Sequence, residues 1–246
     1  MTFGEIKTYL QNTLRAQFAS PQKGPWATQD LIDNVDAGHQ KMFTRVANQA
    51  EGFFETFDDL NEVAGVKTID LPAQLHKLVR LERIKSGSTV LDIPIPLDRI
   101  QRDRSSITAY RSANRATSLS VIQGFYMLGQ KQIVLEPAPG AASTGGLRCH
   151  YVFRPAKMTA DAHEPFQKTA GAGGSGKDNL AEFHEIIALY ALESMLMKMR
   201  DQERASFFMQ RRMEREGELT AYLRGINMQE PRYARFTGEA DQDWWW

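Results

Sequence analysis

Apolar residues recur along this chain with two different periods, and the change of period divides it. Phe3, Ile6, Leu10 and Leu14 stand three or four positions apart, which predicts a short amphipathic helix. Ser20, Pro21, Gly24 and Pro25 break it. Thr28 is an N-cap candidate for a second helix. The stripe of that helix is Leu31, Val35, Met42 and Val46, with Ile32, His39 and Phe43 beside it. His39 reads as a partly buried stripe residue rather than a metal ligand, because no second ligand stands one turn away.

From about Phe53 the period shortens. Phe53, Phe54 and Phe57 open a β-rich region that runs to about Met158. Residues 69–72 read as a strand end. Residues 78–84 alternate, with Val79, Leu81 and Arg83 assigned to one face. Ser86, Gly87 and Ser88 predict a turn. Pro94 and Pro96 place the next strand, Val90 to Leu97, at a sheet edge, where a missing N–H does least harm. Residues 124–140 read as strand, tight turn at Gly129, strand, and a stop at Pro137 and Pro139. In the second of these strands Ile133 and Leu135 alternate with Gln132, Val134 and Glu136. Residues 147–155 form a further strand.

After Met158 the chain loosens into a Gly-rich linker at residues 169–177. Asn179 with Glu182 matches a capping box. A long helical region follows, from about Leu180 to Arg224. Its first part, through Met199, is apolar on most sides and predicts a buried helix. Its second part is dense in both charges, with Phe207, Phe208, Met209 and Met213 on one flank. Unbroken, the region would extend roughly 65–70 Å at 1.5 Å per residue. One break or a projecting helix is therefore expected, with Gly217 as the candidate interruption. Leu219, Tyr222, Leu223 and Ile226 restore helical spacing. The tail from Met228 to Trp246 has no period.

Composition narrows the function classes. Thirty basic residues balance thirty acidic ones over 246 positions, so the whole chain has no electrostatic pull toward nucleic acid or an anionic membrane. The single cysteine, Cys149, excludes an internal disulfide framework and suits a reducing cytoplasm; it reads as a small strand residue. The N-terminus has no basic region followed by an apolar run. The longest apolar run, Ile186 to Leu192, is far short of the roughly 20 residues a bilayer span needs. The protein is expected to be kept in the cytoplasm or assembled there into something larger.

No motif assembles into catalysis. The stretch from Gly171 to Lys177 has Walker A spacing as far as its lysine, but Asp178 follows where a Mg²⁺-binding hydroxyl is required, and no parallel strand precedes it. His184 and Glu185 begin a zinc-protease pattern that lacks its second histidine. His76, His150 and His163 have no metal spacing. Asp58, Asp59, Glu214, Glu216 and Glu218 read as solvated surface. Two features point to partners instead. Arg99, Arg102, Arg104, Arg111 and Arg115 face only Asp103 in one locally basic segment, a solvated loop or a surface for an acidic partner or DNA phosphates. Tyr233, Phe236, Trp244, Trp245 and Trp246 load the tail with aromatic groups, which favours insertion into a partner over packing back on its own domain.

Three segments together resemble the head-to-tail adaptor, or connector, proteins of tailed bacteriophages. They are residues 69–83, a Leu-Pro lead-in followed by a strand; the hairpin through Leu135 and Pro139 with the strand at residues 147–155; and residues 183–191, a His-containing start of a buried helix. Trp26 ahead of the second helix also fits. The likeness covers residues 26–226, carried by order and spacing. It implies an α+β fold: a helical bundle with an inserted antiparallel β-barrel or β-sandwich, a long C-terminal helical region and an extended tail. The layout would be residues 1–52 for the first helices, 53–158 for the β insert, 159–179 for the linker, 180–226 for the last helices and 227–246 for the tail. It implies a non-enzymatic virion protein without cofactor. Such proteins form a ring, dodecameric by the likeness, that docks on the portal protein, extends the DNA channel with transient non-specific contact to the genome, and presents a surface to a stopper or tail-completion protein. The tail would be the portal anchor. The location implied is the virion neck, with no membrane involved. The alternatives are another virion joint, such as a stopper or tail-completion protein, or a nucleotide-binding enzyme using Gly171 to Lys177.

Overall fold

The computed structural model describes residues 1–15, 28–100, 124–168 and 178–229. They form a mixed α+β structure in which a β unit interrupts a helical bundle. Helices α1 (Phe3–Arg15) and α2 (Thr28–Gln49) precede it, and α3 (Glu185–Lys198) and α4 (Gln202–Gln229) follow it. The strands are β1 (Glu55–Glu62), β2 (Thr68–Asp70), β3 (Leu75–Ser86), β4 (Thr89–Pro96), β5 (Asp98–Arg99), β6 (Gly124–Leu128), β7 (Gln132–Glu136) and β8 (Ser143–Phe153). They make two four-stranded sheets, ordered β1-β8-β3-β4 and β2-β7-β6-β5. All pairs are antiparallel except β5 with β6, a short parallel pair joining Asp98 to Gly124 and Arg99 to Phe125.

The helical stripes form as their spacing predicts. Phe3, Ile6, Leu10 and Leu14 are buried on α1, and Leu31, Val35, Met42, Phe43 and Val46 on α2. α3 is the centre of the bundle. Ile186, Ile187, Leu189, Leu192, Met195 and Leu196 lose all contact with water, because α1, α2 and α4 each pack against it. Gly38 lets α2 come close: a Cβ there would stand 2.7 Å from the Ile187 carbonyl oxygen and 3.0 Å from the Tyr190 Cβ. Phe54 ties bundle to sheet, its ring 5.1 Å from that of Phe43, 5.4 Å from Phe166 and 5.8 Å from Phe153.

In the first sheet β8 is central. Its inward residues Leu147, Cys149 and Tyr151 pair with Arg83, Leu81 and Leu78 of β3. Val79 is not on that face. A bulge between Leu78 and Arg80 takes Val79 out of register and leaves it exposed. β4 is an edge strand, as its prolines require. The Gly87 turn has φ +63 and closes β3 onto β4. In the second sheet Gly129, at φ +70, closes the β6–β7 hairpin. β7 does not alternate in burial. It lies between β2 and β6 and buries Ile133, Val134, Leu135 and Glu136 alike. Lys67 neutralises Glu136 there at 2.9 Å.

Two boundaries fall elsewhere than the spacing predicts. Residues 178–183 form a 3₁₀ turn, and α3 starts at Glu185 after a His184 that makes no side-chain cap; Asn179 and Glu182 do not open the helix. The break in the C-terminal region is at Arg200, and Gly217 lies inside α4. Arg200 adopts φ +61, its N–H donates to the Met197 carbonyl at 3.1 Å, and the Asp201 N–H reaches the Leu196 carbonyl at 3.1 Å. That is a Schellman ending with arginine where glycine is usual. Asp201 then caps α4, its Oδ1 accepting from the Arg204 N–H at 3.2 Å. Phe207, Phe208 and Met209 also separate: Phe208 is buried with Ala205, while Phe207, Met209 and Met213 are exposed.

Residues 154–168 have no regular structure but bind the molecule together. The Phe3 N–H donates to the His163 carbonyl at 2.8 Å and the Gly4 N–H to that of Asp161 at 3.0 Å. Lys157 meets Asp33 at 2.9 Å and Lys168 meets Asp58 at 2.6 Å.

Candidate functional site

Among the described residues, four polar clusters are partly or fully buried, and most of their groups are engaged in structural contacts. The first surrounds Phe166, a residue at φ +63. His39 is fully buried rather than partly so, and its Nε2 accepts the Phe166 N–H at 3.0 Å. That bond leaves Nδ1 to carry the ring proton. The Phe166 ring lies 4.9 Å from His39 and 5.9 Å from His184. The His184 Nδ1 stands 3.0 Å from the Met1 amine. Burial lowers both histidines to about 4; the other histidine adds to the effect at His39 and the Met1 amine at His184. Both rings are therefore neutral at ordinary pH.

In the second cluster Asp58 is half-buried, not solvated. The Tyr151 hydroxyl donates to its Oδ2 at 2.6 Å and Lys168 to its Oδ1 at 2.6 Å. Beside them Cys149 is pushed up to about 12, by burial first and then by Asp58, so it is an inert thiol. Asp59, one position on, faces outward and binds Arg148 at 2.9 Å.

The third cluster is on the helices. Glu216 is buried because it shares a face of α4 with Ala205, Phe208, Leu219 and Leu223. It receives Arg45 at 2.6 Å, Arg212 at 2.7 Å and the Tyr190 hydroxyl. Arg212 also binds Glu193 at 2.8 Å and stacks 4.4 Å from the Tyr190 ring centre. Glu214 and Glu218 of the same group stay exposed. In the fourth cluster Glu62 and Arg83 are both buried, 3.5 Å apart. Arg83 spends its Nε on the Lys85 carbonyl at 3.1 Å. Neither Glu62 oxygen accepts a hydrogen bond, and burial raises its carboxyl above the usual range despite Arg83.

Among the described residues no group of three or more His, Cys, Asp or Glu side chains is placed to hold a metal ion. No helix among them is long and apolar enough to cross a membrane. His150 binds Glu82 at 3.0 Å on the outer face of the first sheet.

Of the partner-binding candidates, Arg99 lies exposed on β5. Arg102, Arg104, Arg111 and Arg115 lie outside the described residues, as do Tyr233, Phe236, Trp244, Trp245 and Trp246 and the stretch from Gly171 to Lys177. What the structure adds is an uncovered apolar surface. Val90, Ile93 and Ile95 stand exposed along β4, and Phe207, Met209 and Met213 along α4. In the sequence, Pro94 and Pro96 mark the first as an edge strand; its exposed apolar groups are not covered by any of the described residues.

A protein-family model described as SU10 adaptor protein matches residues 1–238, nearly the whole chain. No curated protein matches it.

Proposed function

Because the chain belongs to the SU10 adaptor protein family, a family of phage structural adaptors, we propose that it forms a ring in the virion neck. The ring, dodecameric, docks on the portal protein, extends the DNA channel and presents the attachment surface for a stopper or tail-completion protein. It is assembled in the host cytoplasm and works without cofactor or catalysis. The observation that carries this reading is the family match, which runs from the first helix into the tail. The β unit between two pairs of helices has the element order that the connector resemblance implies.

In this reading the portal anchor is the tail at residues 227–246. Tyr233, Phe236, Trp244, Trp245 and Trp246 supply large contact areas at low entropy cost. Arg99, Arg102, Arg104, Arg111 and Arg115 face the channel or an acidic partner surface. Their contact with DNA is to phosphates alone and weakens with salt.

The test uses the full-length chain and a version ending at residue 227, each mixed with the portal ring of the same virus. Full-length protein co-sediments with the portal, and the shortened version does not. Equal binding by both would remove the tail from the anchor. No binding by either would remove the adaptor reading.

A further inference from the structure

Among the described residues, the β3–β4 ribbon and the outer side of α4 each leave a group of apolar side chains exposed, and the two groups differ in charge. On the β3–β4 ribbon Ile93 is 76% exposed, with Val90 and Ile95 beside it. β4 pairs with β3 alone. The Leu97 N–H donates inward to the Leu81 carbonyl at 2.9 Å. By antiparallel alternation position 96 points its backbone outward, and proline there removes the donor. Another strand cannot readily extend this ladder, so the ribbon offers side chains. Those are apolar groups among cations. Arg83 is buried against Glu62 and Arg80 pairs with Glu82, so the cations this surface offers are Lys85, which stands opposite Val90, and Arg99, exposed with no partner among the described residues.

The second surface is the outer side of α4. Phe207 is 62% exposed, with Met209 and Met213 nearby. Over the first four turns the arginines of this helix turn to carboxylates: Arg204 to Asp201, Arg211 and Arg215 to Glu185, Arg212 to Glu193 and Glu216. Glu203 and Glu214, one and two turns from Phe207 on its side of the helix, are exposed and pair with nothing among the described residues. This side is apolar among anions.

The two surfaces do not meet within one copy. β4 packs on β3, whereas α4 packs on α3 and α2. β3 leaves the bundle at His76, whose ring is 5.1 Å from that of Phe43. It then runs to Ser86, roughly 35 Å away at 3.3 Å per residue.

We propose that the β3–β4 ribbon of one copy docks on the outer side of α4 in the next copy. The proposal rests on the ring reading above and supplies its subunit contact. Two different patches of the same chain meet, so the contact is head-to-tail and repeats until a ring closes. Ile93 and Ile95 pack against Phe207 and Met213, whose flexible thioether adapts to the ribbon. Lys85 and Arg99 face Glu203 and Glu214 at the rim, which steers the encounter and makes it sensitive to salt.

Two variants test it: Ile93→Asp for the ribbon, and Phe207→Asp with Met213→Asp for the helix. All three sites are exposed, and unchanged thermal melting checks that both variants fold. Native mass spectrometry follows assembly of the purified full-length chain at high concentration and on the portal ring. The wild type forms rings. Each variant alone forms none, and an equal mixture stops at a one-to-one heterodimer, because only one intact ribbon and one intact helix face remain. Rings from either variant would overturn the contact and leave the ring reading standing. Two inactive variants that make no heterodimer when mixed would overturn it as well. A wild type that makes no oligomer even on the portal would overturn both.

Discussion

Helix α3 and strand β4 are the two extremes of this molecule. α3 turns Ile186, Ile187, Leu189, Leu192 and Leu196 entirely away from water, while β4 leaves Val90, Ile93 and Ile95 open to it. Burial of one such side chain contributes about 1.5–3 kcal/mol, so α3 spends its apolar area on stability. The same area on β4 contributes little to the isolated fold. An apolar strand that contributes little within its own chain is a candidate for contact with a partner. Sequence hydrophobicity alone does not separate the two; the number of neighbours does. α3 has a helix on three sides, and β4 has one strand and two prolines.

The bundle is where substitution should cost most. Glu216→Ala leaves Arg45, Arg212 and Tyr190 around an empty position, and is expected to lower unfolding free energy by about 3 kcal/mol in urea denaturation. A loss under 1 kcal/mol would show that this network is not desolvated. Gly38→Ala acts on the same helices through sterics. Its Cβ meets backbone at 2.7 Å, so α2 and α3 must move apart, at an expected cost of about 1–3 kcal/mol.

Acid separates the regions in another way. His39 and His184 stand at about 4 in the folded protein, against 6.5 ordinarily. The unfolded chain therefore takes up these protons first. Their contribution is complete above pH 6.5 and is lost as pH falls from 6.5 to 4, by up to about 3 kcal/mol for each ring. His39→Gln, whose amide oxygen can still accept the Phe166 N–H, flattens the pH dependence of the melting temperature in that window. An unchanged slope would show that His39 is not the group responsible. On β4, by contrast, Ile93→Ser changes the stability of the isolated chain by less than about 0.5 kcal/mol, while abolishing assembly.

A small effect of the opposite sign is expected at the turn between α3 and α4. Arg200 bears the cost of a left-handed backbone that glycine escapes. Arg200→Gly is expected to stabilise the fold by about 0.5–1 kcal/mol, because the gain is partly offset by the greater freedom of glycine when unfolded. Destabilisation would mean that the arginine side chain contributes more than its backbone costs.

Much of this architecture is legible from spacing. The stripes of α1 and α2, the turns at Gly87 and Gly129 and the edge position of Pro94 and Pro96 follow from local rules, and the order of elements carries the family resemblance. What was not legible depends on tertiary neighbours. The helix break has no glycine to mark it, and the spacing points to Gly217 instead. Glu216 and Asp58 look solvated in sequence because a carboxylate shows its burial only once Arg45, Arg212, Tyr151 and Lys168 are brought to it from distant segments. The bulge at Val79 reverses a face that simple alternation assigns the other way. Of the partner-binding candidates, the tail aromatics and four of the five arginines lie outside the described residues, whereas the ribbon was visible only as an edge strand and not as a surface.

The central claim is that this chain is a structural ring component rather than a catalyst. It is tested most directly by native mass spectrometry of the full-length chain bound to the portal ring. The account predicts one discrete species, a portal carrying a closed dodecameric ring of this chain. A portal that stays bare, or that carries a variable number of unconnected copies, would contradict it.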